Sequence, residues 1–359
     1  MEKFAHKNIK AGKILFILGN GFDLNLGMKT SYENAYDVYI DEPSKSEVIE
    51  KFKQELKNDK KLKYENWSDF ETMMAKYACK LNSEEELIEC VRDFKRCMVA
   101  HLTNENGEIN KIINTFENHS MISEELKESL MNFHKGFIPN VRKKINKIIE
   151  NSHVSTDVNF ITFNYTNAIE MLLQSRKKYY DSDYNLPIHI HGKLDENVVL
   201  GVDNTEQLKT KYAIGKKGKR AFVKTLFNEE YDPDIVKQAK NTVNESDVIC
   251  VFGFSMGETD KTWVDLLINW LQQNPEHQLV VFDQYSSKKF DKYNFDEIMD
   301  AEEEKKEELL KRFGLNDEKF YDQMHIAIGH SIFQFKNKFI KPSSVVNQRG
   351  RSPQTALVG

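Results

Sequence analysis

A glycine-containing segment near the amino terminus has the composition expected for dinucleotide binding. It directly follows the apolar run Ile14 to Leu18 and consists of Gly19, Asn20, Gly21, Phe22 and Asp23. Glycines let a backbone approach a phosphate closely, and the amides at the start of the next helix face the anion. The segment lacks the third glycine of GxGxxG, so a plain strand-to-helix turn is the alternative. Asp23 would be repelled by a phosphate unless it holds a ribose hydroxyl or caps a helix.

A second candidate segment, Phe160 to Thr166, changes from apolar to polar residues at its carboxyl end. Ligands of open parallel sheets bind at that end of the strands, so Thr162, Asn164 and Tyr165 are candidate nucleotide contacts. Asn164 could hydrogen-bond to ribose hydroxyls, or position a water molecule, without adding charge. The alternative is that Asn164 caps a helix that starts near Asn167.

Two histidines alternate with isoleucine in the segment Ile188 to Gly192. On a strand, His189 and His191 would point to the same face. Such a pair could bind a metal, but the sequence offers no nearby third ligand. A histidine next to glycine at a strand end is also a candidate general base, because its pKa lies near neutrality. We therefore expect His191 to be functional and His189 to be a hydrogen-bonded sheet residue.

A later segment repeats the pattern of apolar strand, glycine and small polar residue. In this segment Gly253 is the glycine and Ser255 is the small polar residue, and both could contact an adenosine ribose or phosphate. The acidic group Glu258 to Asp260 comes next, and we expect it to cap the helix that contains Trp263 rather than to take part in catalysis.

Two other groups have a structural interpretation that we favour over a functional one. The stretch Lys209 to Lys224 could contact phosphates of a nucleotide or of nucleic acid, but such charged stretches are usually solvated loops. Its basic residues include Lys211, Lys216, Lys217, Lys219 and Arg220. Trp67 and Glu71 lie one helical turn apart and could reach over a pocket, although core packing is favoured for Trp67.

Strand signals recur along the chain and must position these residues. They fall at 14–18, 158–164, 187–192, 247–255, 278–284 and 324–330. Several are separated by helical segments, which predicts an α/β fold with a Rossmann-like, doubly wound parallel sheet. From 31 to 150 the residues recur at helical spacing with almost no glycine or proline, which predicts a large helical insertion lobe after the first strand. The Rossmann domain would comprise 1–30 and 151–340, and the polar tail 341–359 is expected to be disordered.

Composition narrows the class of protein. The chain has 359 residues and a formal net charge of -5, which gives no global signal for binding nucleic acid or an anionic membrane. Its four cysteines form no CxxC pair, so we expect reduced thiols and no metal site. The sequence offers neither a signal peptide nor an apolar run of membrane-spanning length, so we expect a cytoplasmic location.

The chain resembles a known family in the motifs GNGFDLNLGMKTSY, NWSDFE, ITFNYT, HIHG and FGFSMGETDKTW. They resemble the bacterial AbiH family of phage abortive-infection proteins, and their order is similar to that in the sirtuin-like domains of antiviral NAD hydrolases. The resemblance extends from about residue 14 to residue 330. It implies a sirtuin-like nucleotide-binding domain in which NAD lies against the segment Gly19 to Asp23 and the loop Gly253 to Ser255.

The same resemblance implies roles for individual residues. Asn164 would lie beside the nicotinamide ribose, and His191 would act near that sugar. The paired cysteines of the sirtuin zinc module are missing, so protein deacylation is not expected. The first loop has Asn-Gly-Phe-Asp where sirtuins have Ala-Gly-Ile-Ser, and Thr166 stands where sirtuins often carry Asp.

The function implied is phage defence by an NAD glycohydrolase that releases nicotinamide. The bond to be broken joins the ribose anomeric carbon to a pyridinium nitrogen, and the transition state resembles an oxocarbenium ion. We expect Asn164 to orient the ribose or the attacking water and His191 to take a proton from a sugar hydroxyl or water.

Two alternative functions remain open at this stage. One is a nuclease that acts on RNA or DNA through the basic stretch, although nucleic acid is not the favoured partner. The other is a non-catalytic sensor that binds a nucleotide or a phage protein. The ligand could also be a related dinucleotide such as NADP. A phage-derived trigger or a second copy of the chain could be a further partner.

Overall fold

The computed structural model describes residues 12–61, 70–150, 157–180, 185–283, 295–315, 317–329, 332–335 and 339. Within them lies a six-stranded parallel sheet with the order β3-β2-β1-β4-β5-β6, which is the order of the doubly wound dinucleotide-binding fold. The strands are β1 (Lys13–Leu18), β2 (Asp157–Thr162), β3 (Ile188–His189), β4 (Val248–Phe252), β5 (Gln278–Asp283) and β6 (Met324–Ile328). All six predicted strands are confirmed, as is the α/β class.

Apolar sequence explains why these segments form the interior of a parallel sheet. Every residue of β4 and β6 is buried, as expected for strands covered by helices on both faces. The polar residues begin where the strands end. The register aligns Leu18 with Thr162 on one side and with Phe252 on the other. The loops that follow β1, β2 and β4 are therefore level with one another at one edge of the sheet.

Among the described residues between β1 and β2, six α-helices follow the short helix α1 (Asn20–Leu26). They are α2 (Tyr32–Asp41), α3 (Glu47–Lys61), α4 (Phe70–Ala78), α5 (Glu84–Ile113), α6 (Phe116–Met131) and α7 (Pro139–Glu150). Gly27, at φ +90°, ends α1, and the Ser31 side chain accepts a hydrogen bond from the Asn34 amide to cap α2. Pro139 is the first residue of α7, a position that suits proline because the missing N–H would have no partner in the helix.

The remaining helices connect and cover the later strands. They are α8 (Ala168–Tyr180), α9 (Lys216–Phe222), α10 (Lys224–Tyr231), α11 (Pro233–Glu245), α12 (Lys261–Gln273), α13 (Phe295–Arg312) and α14 (Glu318–Tyr321). The stretch predicted as a solvated basic loop thus contains α9 and the start of α10. The prediction of a loop was wrong, because apolar residues such as Phe222 and Val223 anchor the stretch in a core. The basic residues named in it are nevertheless exposed to solvent, as predicted.

Hydrophobic residues form three cores. One lies on the sheet face covered by α6, α7 and α8, and a second lies on the opposite face beneath α11, α12 and α13. The third is formed by the helices α2, α3, α4 and α5 together with residues between Val198 and Val223. The helix α5 contributes Leu87 to the third core and Ile113 to the first. The segment predicted as one inserted lobe is therefore shared between two cores, with its second half packed on the sheet.

Some sequence predictions fall outside the described residues, namely those for Trp67 and for the tail 341–359. In the part of the chain that is described, no helix combines the length and apolarity needed to cross a membrane.

Candidate functional site

A cavity of about 640 Å³ opens where the strand order reverses direction, at the carboxyl ends of β1, β2 and β4. Small-molecule sites occupy about 300–1,000 Å³, and ligands of such sheets bind at this crevice. The helices α2, α4 and α5 line one side of the cavity, and α13 lines the other. The sheet therefore brings most of the predicted site residues to one place. Those that line the cavity are Gly19, Asn20, Gly21, Asp23, Asn164, Tyr165, His191, Gly253 and Ser255.

The two glycine loops contact each other at the floor of this cavity. The Gly21 amide donates to the Gly253 carbonyl at 2.9 Å. A Cβ on Gly19 would lie 2.5 Å from the same carbonyl oxygen, and Gly253 has φ +66°. The close approach of the Gly19 and Gly253 backbones thus explains why neither position carries a side chain. Contact of these glycines with a phosphate stays a prediction. Phe22 lies in the core against Phe252 instead of lining the cavity.

Asp23 is buried beneath the end of β2 and is 1% exposed. It accepts hydrogen bonds from Asn164 Nδ2 at 2.8 Å and from Thr166 Oγ1 at 2.7 Å. Burial raises the pKa of Asp23 from 3.8 to about 7, although these two hydrogen bonds oppose the rise. The carboxyl group therefore holds the polar residues that follow β2 and does not cap a helix.

Asn164 is fixed by hydrogen bonds through its backbone and its side-chain nitrogen, whereas its side-chain oxygen receives no hydrogen bond from the described residues. Its backbone amide donates to Thr162 Oγ1, which places Thr162 beneath the site. Its Nδ2 donates to Asp23, so its Oδ1 is turned away from that carboxyl group. Among the described residues nothing donates to Asn164 Oδ1, although the residue is only 6% exposed. Buried polar atoms are normally hydrogen-bonded, so this oxygen is an acceptor available to a ligand. The alternative role as a helix cap is not observed.

The two histidines have different partners because β3 ends at His189 and His191 lies in the turn that follows. The expectation that both would share one strand face was therefore wrong. His189 is buried between the Asn164 carbonyl oxygen, 3.0 Å from Nδ1, and the Glu170 carboxylate, 2.6 Å from Nε2. It is the hydrogen-bonded sheet residue that the sequence predicts, and the hydrogen bond from its ring helps to fix the backbone of Asn164.

His191 lies at the cavity and belongs to a buried network of charges. Its Nε2 is 3.1 Å from Asp260 Oδ1. The same oxygen accepts a hydrogen bond of 2.8 Å from Lys224 Nζ, which donates a second one of 2.8 Å to Glu71 Oε2. Glu71 also accepts from the Gly201 amide at 2.9 Å. Lys224 thus links Glu71 on α4 to Asp260, which in turn contacts His191 at the cavity.

The pKa shifts in this network favour the charged forms of its residues, whereas the pKa shift of Asp23 favours its neutral form. Burial works to raise the pKa of Asp260, but the positive charge of Lys224, together with the neighbouring imidazole of His191, holds it well below its usual range. Burial likewise works to lower the pKa of Lys224, but Asp260 and Glu71 raise it above its usual value. Each charge is stabilised by a partner of opposite sign rather than by water.

Aromatic rings form the apolar part of the cavity wall. Phe163 and Phe254 stack with ring centroids 4.1 Å apart, and His191 contacts the Phe163 ring edge-on at 5.1 Å. The Tyr165 hydroxyl donates to the Val199 carbonyl at 3.1 Å, and burial raises the pKa of Tyr165. These rings restrict where the imidazole of His191 can move.

Sequence reasoning missed part of this site. We expected the group Glu258 to Asp260 to cap α12, but Asp260 makes no cap hydrogen bond there, and Asp203 accepts from the Thr262 amide instead. Lys224 was counted as one of several basic residues. The available signal was its position between the apolar residues Val223 and Leu226, which is unusual for a solvated lysine. No group of three or more potential metal ligands occurs among the residues that the structure describes.

The sequence matches the family described as bacteriophage abortive infection AbiH over residues 15–283, which is more than half of the chain. The matched range contains the cavity loops after β1, β2, β3 and β4. No curated protein matches the chain.

Proposed function

Since the chain belongs to the bacteriophage abortive infection AbiH family, we propose that it defends the cell by hydrolysing NAD in this cavity to nicotinamide and ADP-ribose. In this proposal the sheet and its loops act as a sirtuin-like nucleotide-binding domain in the cytoplasm. The observation that carries the proposal is the buried Oδ1 of Asn164, which lines the cavity and has no donor among the described residues.

An amide oxygen in this position suits a sugar hydroxyl. It accepts a hydrogen bond without bringing a full negative charge close to the diphosphate of the substrate. The Asn164 side chain is also held in advance, because Asp23 and His189 bind its amide nitrogen and its backbone carbonyl. Such preorganisation lowers the cost of placing the ribose for reaction. We therefore assign Asn164 to orientation of the nicotinamide ribose.

His191 completes the proposed reaction. The oxygen of a water molecule forms a bond to the ribose anomeric carbon while the bond from that carbon to the pyridinium nitrogen breaks. The bonding electrons leave with nicotinamide, which neutralises its ring, and the surplus proton of the water passes to the imidazole of His191. Asp260, 3.1 Å from Nε2, stabilises the imidazolium that results.

Nuclease activity has less support from the contacts. Two of the basic residues that suggested it, Lys216 and Arg220, pair with Glu230 at 3.2 Å and 2.6 Å. Lys224 is buried in the network described above. The surface charge available for a nucleic-acid backbone is correspondingly reduced.

The test is nicotinamide release from NAD by the purified protein, with and without lysate of phage-infected cells as a source of trigger. Asn164→Ala and His191→Ala should abolish release. The matched controls are Asn185→Ala and His101→Ala, since neither residue lines the cavity, and both should retain release. Thermal unfolding of all four variants checks that the fold is intact.

Three results would overturn the proposal or redirect it. Release that persists in both cavity variants would remove Asn164 and His191 from the mechanism. Tight binding of NAD without product would favour the sensor function. Degradation of RNA or DNA in place of NAD would favour the nuclease.

A further inference from the structure

Lys224 is buried, yet it lies where it can influence the histidine at the cavity. It is 3% exposed, and its ammonium group is 2.8 Å from both Glu71 Oε2 and Asp260 Oδ1. A buried ion pair is a costly way to fill a core, because apolar residues of similar volume often do so with equal or greater stability. The arrangement therefore calls for a role beyond packing.

The close approach of His191 Nε2 to Asp260 Oδ1, at 3.1 Å, has a chemical consequence. A carboxylate accepts hydrogen bonds and repels a free electron pair, so it favours the form of His191 in which Nε2 carries the hydrogen. In a neutral imidazole the other nitrogen, Nδ1, then holds the free electron pair. A protonated carboxyl group at the same place could donate to Nε2 and thereby allow the opposite tautomer.

We infer that Lys224 is a positioning residue for His191: by keeping Asp260 ionised, it fixes the tautomer in which Nδ1 is the atom that accepts a proton. Three contacts carry this inference. Lys224 and His191 share one oxygen of Asp260, and Glu71 holds the lysine from the opposite side. The part of the inference that concerns catalysis rests on the proposed function, whereas the tautomer does not.

Glu71 extends the arrangement to the helical segment. It lies on α4, and its second oxygen accepts from the Gly201 amide, so its side chain is fixed at both oxygens. Its distance from Lys224 matches that of Asp260, but among the described residues it forms neither a hydrogen bond nor an ion pair with His191. Loss of its charge should therefore leave the tautomer of His191 unchanged. This difference between two carboxylates that hold the same lysine provides an internal control.

The primary test is a nitrogen NMR spectrum of the full chain labelled at its histidine rings, recorded at a pH where His191 is neutral. A spectrum of His191→Gln assigns the signals by their disappearance. The wild type should carry the ring hydrogen on Nε2 of His191. Asp260→Asn should give a mixture of the two tautomers, because an amide can present either its oxygen or its NH₂ group. Glu71→Gln should retain the wild-type signals.

Variants of the lysine itself provide the second arm. Lys224→Arg keeps the positive charge and should preserve the tautomer. The double variant Lys224→Gln with Glu71→Gln removes one charge of each sign, which limits the loss of folding, and should shift His191 toward the mixture seen for Asp260→Asn. Lys216→Gln, at an exposed position of α9, is the control for loss of a lysine outside the cavity.

If the protein hydrolyses NAD, the same variants separate positioning from folding. Asp260→Asn should lower kcat by about 100-fold with little change in KM, because it removes the negative charge that stabilises the imidazolium of the general base as well as the fixed tautomer. Glu71→Gln should change kcat much less. A structural role alone would lower the amount of folded enzyme and would leave the kinetics of the remaining enzyme unchanged.

The inference fails if His191 carries its ring hydrogen on Nδ1 in the wild type. It also fails if Asp260→Asn leaves the tautomer and kcat as they are. Absence of NAD hydrolysis in every variant would contradict the proposed function only, since the nitrogen spectra would still report the tautomer.

Discussion

Two carboxyl groups line the same cavity and differ in the direction of their pKa shifts: Asp23, which is buried, and Asp260, whose side chain is 13% exposed. Asp23 receives hydrogen bonds from two uncharged donors, and burial raises its pKa to about 7. Burial also acts on Asp260, but Lys224 and His191 hold the pKa of that group well below its usual range. The difference follows from the partners: hydrogen bonds from uncharged donors offset only part of the burial effect at Asp23, whereas the positive charge of Lys224 outweighs it at Asp260.

The cavity is thereby divided into two parts of different chemistry. Around Asp23 lie hydrogen bonds that orient Asn164 without a fixed charge. Around Asp260 lie paired charges that orient His191. In the proposed reaction the first part holds the sugar, where added negative charge would repel the diphosphate, and the second part handles the proton. Four predictions test this division.

The largest effect should follow removal of the cation. Lys224→Met leaves Asp260 and Glu71 buried without their partner, and breaking a buried pair in this way costs about 3–5 kcal/mol. Unfolding in urea at neutral pH measures the loss. Lys216→Met removes a lysine whose side chain is 73% exposed and should have little effect. A loss as small as that of the control would mean that Lys224 does not hold the carboxylates in the folded state.

The second prediction uses pH to separate Asp23 from Asp260. Because the pKa of Asp23 is about 7 in the folded protein and 3.8 as the reference for the unfolded chain, the folded state retains a proton between these values. The stability contributed by Asp23 therefore falls as pH rises through this range. The lowered pKa of Asp260 acts in the opposite sense, with stability present above its unfolded pKa and lost in acid.

Asp23→Asn should remove the first dependence. Relative to the wild type, the variant should gain on the order of 3 kcal/mol in free energy of unfolding between pH 4 and pH 8. Urea unfolding at both pH values measures the change. Asp234→Asn, at an exposed position of α11, should show no such gain. A difference between Asp23→Asn and the wild type that stays constant with pH would contradict the raised pKa.

The third prediction concerns the backbone beneath Asp23. Gly253→Ala would place a Cβ 2.5 Å from the Phe22 amide, at a φ of +66°. Strain of this kind costs about 1–3 kcal/mol and should displace α1, which carries Asp23. Gly257→Ala is the matched control, because the nearest atom to its Cβ would be Ser255 Oγ at 3.5 Å. Equal losses in the two variants would show that the loops do not need this close approach.

The same comparison explains which parts of the molecule could be predicted from the sequence. The strands and the Asn164 loop were recognisable because a buried parallel strand is a continuous apolar run with polar residues at its end. The contact of Asn164 with Asp23 follows from parallel register, which sets the ends of β1 and β2 side by side. Local sequence contains most of that information.

The network of charged residues around Asp260 could not be predicted in the same way. Lys224 meets Glu71, which lies 153 positions away, and the packing that brings them together involves α4 and α10. A lysine within a basic stretch carries no local sign of such a partner. His191 was recognised beside its glycine, but its pairing with Asp260 depends on where β3 ends, which is a boundary that alternation of residues does not fix.

The smallest predicted effect sharpens the comparison at a single hydrogen bond. Thr166 Oγ1 donates to Asp23 Oδ2 at 2.7 Å and lowers the pKa of that carboxyl group against the effect of burial. Thr166→Val keeps the shape of the side chain and removes the donor, which costs about 1 kcal/mol. Because the hydrogen bond is stronger to the ionised carboxylate, the loss should be greater at pH 8 than at pH 5. Thr242→Val on α11, where the hydroxyl donates to its own helix at an exposed position, should show no dependence on pH. Urea unfolding at the two pH values decides the matter, since an equal loss for Thr166→Val at both would mean that Asp23 does not change its charge between them.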